Sequence, residues 1–251
     1  MDVREATTED VEAIRAVAID SLAASYGHAL DETLIEAAID RWYDPEGLAA
    51  EIADDESLFV VGLEDGAVVA FAQSYVIDRR RTVGQIDWLH VAPDARGRGL
   101  GTQLLARLEQ ELIERGAERL EGRVLEANED GGEFYERHGF DLVGTREVDI
   151  ADRTFFEELY TKFPDEDGSQ VLVESREGPE GQHLFVAYDE SNRASKGPFY
   201  PVYETRDREQ RYGYLCGNCE SFDVAVDTMD RIECNDCGNR SKPTRWDAAY
   251  L

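Results

Sequence analysis

Four cysteines near the end of the chain form two pairs, Cys216 with Cys219 and Cys234 with Cys237. Each Cys-x-x-Cys turn directs two thiolates toward one ion, and the 14 residues between the pairs are enough for a hairpin. This spacing predicts a structural Zn²⁺ site, because four thiolates leave no open coordination position. A thiol redox pair and a rubredoxin-type iron centre are the alternatives.

A second stretch whose residue types could bind a ligand is Arg-Gly-Arg-Gly-Leu-Gly at residues 96–101. It follows a predicted strand and precedes a helix with leucines at helical spacing. Glycines let successive backbone N–H groups converge at the helix N-terminus, where a diphosphate also meets the positive end of the helix dipole. Arg96 and Arg98 would add charge-assisted contacts. The pattern favours a diphosphate-binding loop over a simple cap, and it lacks the Gly-x-Gly-x-x-Gly spacing of dinucleotide sites.

The elements that must position these residues follow from hydrophobic periodicity and turn signals. Helical spacing begins at Val11, and Thr7 with Asp10 forms a predicted capping box before it. Further helices are predicted over residues 31–42, 99–115 and 133–137, and strands over residues 3–6, 58–63, 67–76, 82–91, 120–125, 140–145 and 154–163. Helices placed among strands in this order indicate a mixed α/β sheet.

A polar stretch at residues 164–170 reads as a linker between two domains, 1–163 and 171–251. The second domain is predicted to be small and β-rich, with strands near residues 171–174, 184–188 and 200–203. Its zinc ribbon would occupy about residues 212–240. Residues 171–211 carry no motif that indicates chemistry.

With these elements in order, residues 1–163 resemble the GNAT superfamily of acyl-CoA N-acyltransferases. Residues 96–101 resemble its pyrophosphate-binding motif, and residues 128–140 resemble its later Asn…Tyr-x-x-x-Gly-Phe segment. The resemblance implies a mostly antiparallel mixed sheet with flanking helices, and direct transfer of an acetyl group from acetyl-CoA to a primary amine in a ternary complex. Gly131-Gly132 departs from the Ala-containing helix start that is usual in the family, which suggests a looser helix.

The resemblance also implies roles for individual residues. The thiolate of departing CoA needs a proton, and Tyr135 falls at the family's general-acid position; the alternative is a core aromatic beside Phe134. A backbone N–H near Val91 would stabilise the developing oxyanion. The residues expected to bind acyl-CoA are Leu89, Val91, Arg96, Gly97, Arg98, Gly99, Leu100, Gly101 and Asn128.

The general base is less well indicated by the sequence. Gln85 and Asp87 stand at the two positions where the family often places a base, and only Asp87 can accept a proton, provided that burial raises its pKa. A water relay is the alternative. His90 lies an odd number of residues from Asp87, so on a regular strand it would face the other side and pack. The resemblance further implies that the loops over residues 25–30 and 149–153 select the acceptor.

The charge balance is extreme, with 55 acidic and 26 basic residues, a formal charge of -29 and only three lysines. Such a surface is expected of a cytoplasmic protein from an extreme halophile, where salt screens the self-repulsion; an acidic mesophilic protein is the alternative. The charge argues against binding to nucleic acid or anionic membranes. The start of the chain lacks the apolar segment of a signal peptide, and no apolar stretch is long enough to span a bilayer.

The sequence thus predicts an acetyl-CoA-dependent N-acetyltransferase whose ribbon could also contact another protein. One alternative is a non-catalytic acyl-CoA sensor. Gln85 at a usual base position and the unusual Gly131-Gly132 pair are the features that favour it. The other is a protein or nucleic-acid adaptor built around the ribbon. The acceptor, acyl groups other than acetyl and the oligomeric state are not indicated by the sequence.

Overall fold

A seven-stranded sheet occupies the first two thirds of the chain, and a four-stranded sheet with a separate two-stranded ribbon follows it. The computed structural model describes residues 2–28, 32–78, 81–150, 153–165 and 171–241. The strands of the large sheet are β1 (Asp2–Glu5), β2 (Ser57–Glu64), β3 (Ala67–Ile77), β4 (Val83–Val91), β5 (Arg119–Leu125), β6 (Asp141–Ile150) and β7 (Arg153–Lys162). Their order is β1-β2-β3-β4-β5-β7-β6, and only the β4–β5 pair within it is parallel.

Helices cover both faces of this sheet. They are α1 (Val11–Tyr26), α2 (Glu32–Trp42), α3 (Pro45–Ile52), α4 (Leu100–Glu114) and α5 (Glu129–Arg137). The leucine face of α4 packs with α5 against one side of the sheet, and α1 to α3 pack against the other. The capping box ahead of α1 is present, with the Thr7 backbone N–H donating to Asp10 at 2.8 Å. The mixed, mostly antiparallel sheet with flanking helices is therefore confirmed.

Two irregularities of β4 create an opening in the sheet. The pairing of β3 with β4 shifts between Gln73 and Ser74, which leaves Asp87 as an extra residue, a β-bulge. The β4–β5 ladder ends at the Ile86–Gly122 pair, although β4 continues to Val91 and β5 to Leu125. Since each strand runs on without its neighbour, the sheet splits directly after the bulge.

The C-terminal part is built from β8 (Val173–Glu177), β9 (His183–Ala187), β10 (Phe199–Tyr203) and β11 (Arg211–Cys216), in the order β11-β10-β9-β8. A hairpin of β12 (Val224–Val226) and β13 (Ile232–Cys234) lies between the cysteine pairs, where the sequence predicts one. Phe163, which the sequence places at the end of a first domain, packs in the core of the four-stranded sheet and stacks on Tyr188 with ring centroids 3.6 Å apart.

A buried ion network joins the two parts. The Glu220 carboxylate lies 3.2 Å from Arg81 Nε, 2.8 Å from Arg176 Nη1 and 3.7 Å from Arg119 Nη1. Arg119 also donates to the backbone carbonyl of Gly217 at 2.8 Å. Arg81 and Arg119 belong to the large sheet and its connections, whereas Glu220 directly follows Cys219, the second cysteine of a knuckle. The network therefore anchors the C-terminal part to the large sheet.

Several elements differ from the sequence-based expectations. Helix α3 and strand β11 were not predicted, and α5 begins at Glu129 instead of residue 133. Pro45 opens α3 behind the N-cap Asp44, a start signal that was available in the sequence. Most of the predicted linker, residues 166–170, lies outside the described residues. Among the described residues, the helices are too short or too polar to cross a bilayer.

Candidate functional site

The split between β4 and β5 opens into a cleft of about 730 Å³. Strand β4, the loop before α4, the start of α5 and the end of α1 form its walls. The cleft brings together ten of the eleven residues to which the sequence gives catalytic or acyl-CoA-binding roles, and Arg98 is the exception. The ten are Asp87, Leu89, Val91, Arg96, Gly97, Gly99, Leu100, Gly101, Asn128 and Tyr135. Residues far apart in sequence thus face one space.

The loop before α4 has the backbone shape of an anion site. Gly97 and Gly99 have φ angles of 73° and 82°, in the left-handed region that favours glycine, and Gly99 is the N-cap of α4. The first intrahelical bond on this turn runs from the Gln103 N–H to the Gly99 carbonyl at 3.1 Å. The N–H groups of the preceding helical residues have no acceptor within the helix, so they can bind an anion at its positive end.

The two arginines of this loop contact the protein itself. Arg96 donates to the Val91 carbonyl at 3.1 Å and to the hydroxyls of Ser21 and Ser25 at 3.1 and 3.0 Å. Arg98 donates to Glu64 at 2.5 Å. The sequence predicts that both side chains would bind the diphosphate, whereas here they brace the loop against α1 and β2. The backbone amides at the start of α4 remain available as donors to an anion.

Tyr135 lies at the point where the strands separate. A Cβ on Gly122 would stand 2.5 Å from two carbons of the Tyr135 ring, so the ring lies directly over the last paired residue of β5. The ring stacks on Tyr160 and packs edge-on against Phe140. Burial raises the pKa of Tyr135 well above its usual range. Its hydroxyl therefore stays protonated at neutral pH, which is the state that a general acid requires.

Steric crowding explains why two glycines occur at the start of α5. A Cβ on Gly132 would lie 2.5 Å from the Tyr160 hydroxyl, and a Cβ on Gly131 would lie 2.7 Å from Nδ2 of Asn128. Asn128 caps the helix by accepting from the Gly131 N–H at 3.1 Å. These side chains occupy the space that alanines would need, so the helix that carries Tyr135 is held by packing and a cap in place of helix propensity.

Asp87 is mostly buried, on the side of the sheet that α1 to α3 cover. Gln85 Nε2 donates to its carboxylate at 3.3 Å, so both candidate base positions share a face, as predicted. Burial raises the pKa of Asp87, partly offset by the Gln85 hydrogen bond and by the charges of Arg123 and Arg146. A carboxylate with a raised pKa is a stronger base than an exposed one.

The bulge changes the side on which His90 lies. The prediction that His90 faces away from Asp87 assumes a regular strand and is wrong, because the extra residue shifts the alternation by one. His90 stacks on Trp88 and packs against Phe71 on the α1 side. It is nevertheless a packing residue, since burial and the Arg96 charge lower its pKa to about 3. Its Nδ1 lies 3.0 Å from the Ser21 hydroxyl.

The predicted acceptor loops are only partly described. Tyr26 lines the cleft and its hydroxyl accepts from Asn128 Nδ2 at 3.2 Å, whereas residues 29–31 lie outside the described part. In the second loop Asp149 accepts from the Thr154 hydroxyl at 2.9 Å, and residues 151–152 are not described. The sequence reasoning missed Arg123, which lines the cleft on β5. Charged residues that alternate with apolar ones along β5 are the signal that could have revealed it.

The four cysteines form one cluster, in which the Sγ atoms all lie within 4.8 Å of one another. The Sγ atoms of Cys216 and Cys237 are 3.7 Å apart and those of Cys219 and Cys234 are 3.5 Å apart, so neither pair is a disulfide. Four sulfurs bound to one zinc ion at about 2.3 Å would be roughly 3.8 Å apart in a tetrahedron. The cluster therefore has the dimensions of such a site. Asn239 is fully buried and lies 3.6 Å from the Cys216 sulfur.

Comparisons with known proteins agree with this geometry. Residues 19–140 match the model of the "Acetyltransferase (GNAT) family", and residues 180–251 match a "Family of unknown function (DUF5816)". The aminoalkylphosphonate N-acetyltransferase of Salmonella typhimurium is 29% identical over 55% of this chain and 84% of that protein. Acetyltransferase YE1169 of Yersinia enterocolitica is 34% identical over 41% of this chain and 72% of that protein.

Solved structures show the same fold. The PaiA N-acetyltransferase of Thermoplasma acidophilum, crystallised with coenzyme A, superposes with a TM-score of 0.54 at 24% identity, over 62% of this chain and 96% of that one. A GCN5-related N-acetyltransferase of Rhodopseudomonas palustris gives 0.54 at 25% identity, over 64% and 94%. The split sheet, the glycine loop before α4 and these relatives together show that the chain belongs to the GNAT family, as an acetyl-CoA-dependent N-acetyltransferase.

Proposed function

We propose that the chain transfers the acetyl group directly to a primary amine within the cleft, with Asp87 as general base and Tyr135 as general acid. The observation that carries this proposal is the Ile86–Gly122 pair, where the two strands separate. Asp87 follows Ile86 on one strand, and Tyr135 covers Gly122 on the other. A buried carboxylate and a protonated phenol therefore flank one opening, as acid–base catalysis requires.

Acetyl-CoA supplies the activated acetyl group, and its diphosphate fits the amides at the start of α4. Gly97 and Gly99 shape this loop, and a Cβ on Gly101 would lie 3.4 Å from the ring of Phe134, so the wall there is closely packed. Leu89 and Val91 line the free part of β4, whose backbone would donate to the oxyanion. Asn128 would act indirectly, because its side chain caps α5 and contacts Tyr26.

The acceptor is proposed to be a primary amine. The Salmonella relative acts, by its name, on aminoalkylphosphonates, which are amines that carry an anionic group. A panel of amines assayed for CoA release from acetyl-CoA in concentrated potassium chloride tests transfer. We expect amine-dependent release. Binding of acetyl-CoA with no release for any amine would favour the non-catalytic sensor instead.

We also propose that the four cysteines hold a structural zinc ion. Their sulfur spacing and the Asn239 contact to Cys216 support this, and four thiolates would leave no position for a substrate. Binding would stabilise the β12–β13 hairpin and the knuckle that carries Glu220. Metal analysis of the purified protein should give one zinc per chain, and Cys219→Ser should lower both the zinc content and the melting temperature. Freely titrating thiols with no bound metal would contradict this.

The division into domains at 1–163 and 171–251 is proposed on the two separate cores, with Phe163 packed in the second. The ribbon of residues 212–240 contacts the large sheet through Gly217 and Glu220, so we propose that its protein contact is this internal one. A nucleic-acid adaptor is not favoured in a chain with a charge of -29.

The charge supports a further proposal, that the protein works in the salt-rich cytoplasm of a halophile. At 1 M ionic strength the screening length is about 3 Å, which suppresses repulsion among the carboxylates. Melting temperature and acetyl-CoA affinity should therefore both fall when potassium chloride is diluted from molar to millimolar levels. If both stay constant, the halophilic proposal is wrong and an ordinary acidic protein remains.

A further inference from the structure

A second cavity, of about 170 Å³, lies beneath the C-terminal domain. Its floor is the sheet face formed by β5, β7 and β6, and residues 194–198 with Gly217 and Asn218 form its roof. Arg123 lines both this cavity and the acetyl-transfer cleft. The cavity therefore adjoins the side of the cleft from which Asp87 would receive an amine.

The lining of this cavity has the opposite charge to the rest of the chain. It holds four cationic side chains, Arg119, Arg123, Arg146 and Lys196, and two carboxylates, Glu121 and Glu157. Overall, the sequence has 55 acidic and 26 basic residues. Cations collected around one cavity in so acidic a protein are unexpected for a random surface.

The two carboxylates are already paired. Glu121 lies 2.8 Å from Arg119, and Glu157 lies 2.5 Å from Arg146. Arg123 forms no ion pair within 4 Å with another described residue, although its charge acts on the Asp87 carboxylate. Arg119 is 3% exposed, and its Nε has no hydrogen-bond partner among the described residues. The cavity therefore has donors and positive charge in excess.

The Arg123 guanidinium is partly buried and has no close ion-pair partner among the described residues, so an anion that entered the cavity would gain a charge-assisted contact with it. A cavity of this size has room for several waters or for one small anionic group. Asp87 and Arg123 directly follow the last paired residues of their strands, Ile86 and Gly122, and the Arg123 charge lowers the pKa of the Asp87 carboxyl. A ligand only a few bonds long could therefore contact both.

We propose that the acceptor is a small amine bearing a carboxylate or phosphonate group, which Arg123 binds in this cavity while the amine faces Asp87. The inference rests on the proposed acetyl transfer and adds the substrate class. The C-terminal domain then forms part of the acceptor site, because Lys196 and the Gly217 knuckle close the cavity. It also explains how an acidic enzyme attracts an acidic substrate, through local cations at short range.

Matched acceptor pairs test this proposal: β-alanine against its amide, and 2-aminoethylphosphonate against ethanolamine. We expect the anionic member of each pair to have the higher kcat/KM. In Arg123→Gln the ratio of anionic to neutral kcat/KM should fall at least ten-fold, and Arg123→Lys should restore part of it. Arg231→Gln removes an equal charge from an exposed turn and should leave the ratio unchanged.

A structural role for Arg123 would lower transfer to both members equally, and an unchanged ratio in Arg123→Gln would overturn the inference while acetyl transfer stands. Calorimetric binding of both anionic amines provides a readout without turnover, and Arg123→Gln should weaken it by the same factor. If no amine is acetylated, the proposed function fails, and the calorimetry still decides whether Arg123 binds the anion. If Arg123→Gln does not fold by circular dichroism, Arg123→Ala, which also removes the charge, replaces it, and unweakened binding there overturns the inference.

Discussion

At the scale of single residues, burial raises the pKa of both proposed proton carriers, and the rise has a different consequence for each. It raises the pKa of Asp87, which makes the carboxylate a better base, and it raises the pKa of Tyr135, which keeps the phenol protonated. Both shifts suit the proposed roles, and both come from the depth of the cleft. Each role can be tested with a substitution that changes a single functional group.

Asp87→Asn should lower kcat by about 10²–10⁴-fold, because general-base catalysis contributes on that scale. In the unsubstituted protein, kcat should fall as the pH drops toward the raised pKa of Asp87, since only the ionised form is a base; the variant should lack this dependence. A raised folded-state pKa stabilises the fold at low pH, and this contribution is lost as the pH rises through that pKa. Asn at neutral pH should therefore not lower the melting temperature. Full activity in Asp87→Asn, with exposed Asp55→Asn as control, would exclude Asp87 as the base.

Tyr135→Phe should lower kcat with little change in the KM for acetyl-CoA. The phenyl ring keeps its contacts with Phe140 and Tyr160, so the loss reports on the hydroxyl alone. Steady-state kinetics at saturating amine measure it. Tyr160→Phe is the matched control, because Tyr160 stacks on Tyr135 without lining the cleft. Equal turnover in the two variants would contradict a role for Tyr135 as the acid.

At the scale of elements, the end of the β4–β5 ladder matters most. Gly122 closes the ladder and lets the Tyr135 ring lie over the strand, since a side chain there would overlap the ring. Without a bulge at Asp87, the residues beyond it would face the other way. The absence of a side chain at Gly122 and the extra residue at the Asp87 bulge thus shape the site.

Gly122→Ala should destabilise the protein by about 1–3 kcal/mol through overpacking against a rigid, buried ring. For a chain of this size that corresponds to roughly 3–10 °C in melting temperature. It should also reduce turnover, because the Tyr135 ring must move. Gly213→Ala, on β11 with no atom within 4 Å of the added Cβ, is the control and should change little. Equal melting temperatures for both variants would show that the ring is not held by Gly122.

At the scale of the whole molecule, the C-terminal part of the chain is joined to the large sheet by buried charges. Arg81 lies between Glu174 and Glu220 and beneath the rings of Phe163 and Tyr188. Such pairs resist salt better than exposed ones, because water and ions do not reach them. The connection should therefore persist at high ionic strength, as the proposed halophilic origin requires.

Glu220→Gln should lower the free energy of unfolding by about 3–5 kcal/mol, because it leaves buried Arg81 and Arg119 without their shared carboxylate. Chemical denaturation in high salt measures it. Glu233→Gln breaks an exposed pair with Arg240 and should cost less than about 1 kcal/mol. If the two variants unfold alike, the network does not hold the domains together.

Much of the fold and site could be predicted from patterns that are local in sequence. Hydrophobic periodicity and turn residues predicted α1, the β2–β3 hairpin and α4. The spacing of the cysteines predicted the hairpin between them. His90 could not be placed, since a bulge depends on the partner strand. The hydrogen bonds of Arg96 could not be predicted either, because its partners on α1 are 75 and 71 residues away in the sequence.

The sequence by itself determined the family, through the glycine loop and the Asn…Tyr segment, and the cysteine set, because each depends on residue type at short spacing. Only the tertiary structure decided which side of the sheet each residue of β4 faces, why Gly131 and Gly132 replace bulkier residues, and that Arg123 lines two adjoining spaces. These features depend on contacts between strands and domains, where a shift of one residue or a distant hydroxyl changes the outcome. The local spacing of residues in the sequence therefore does not predict them.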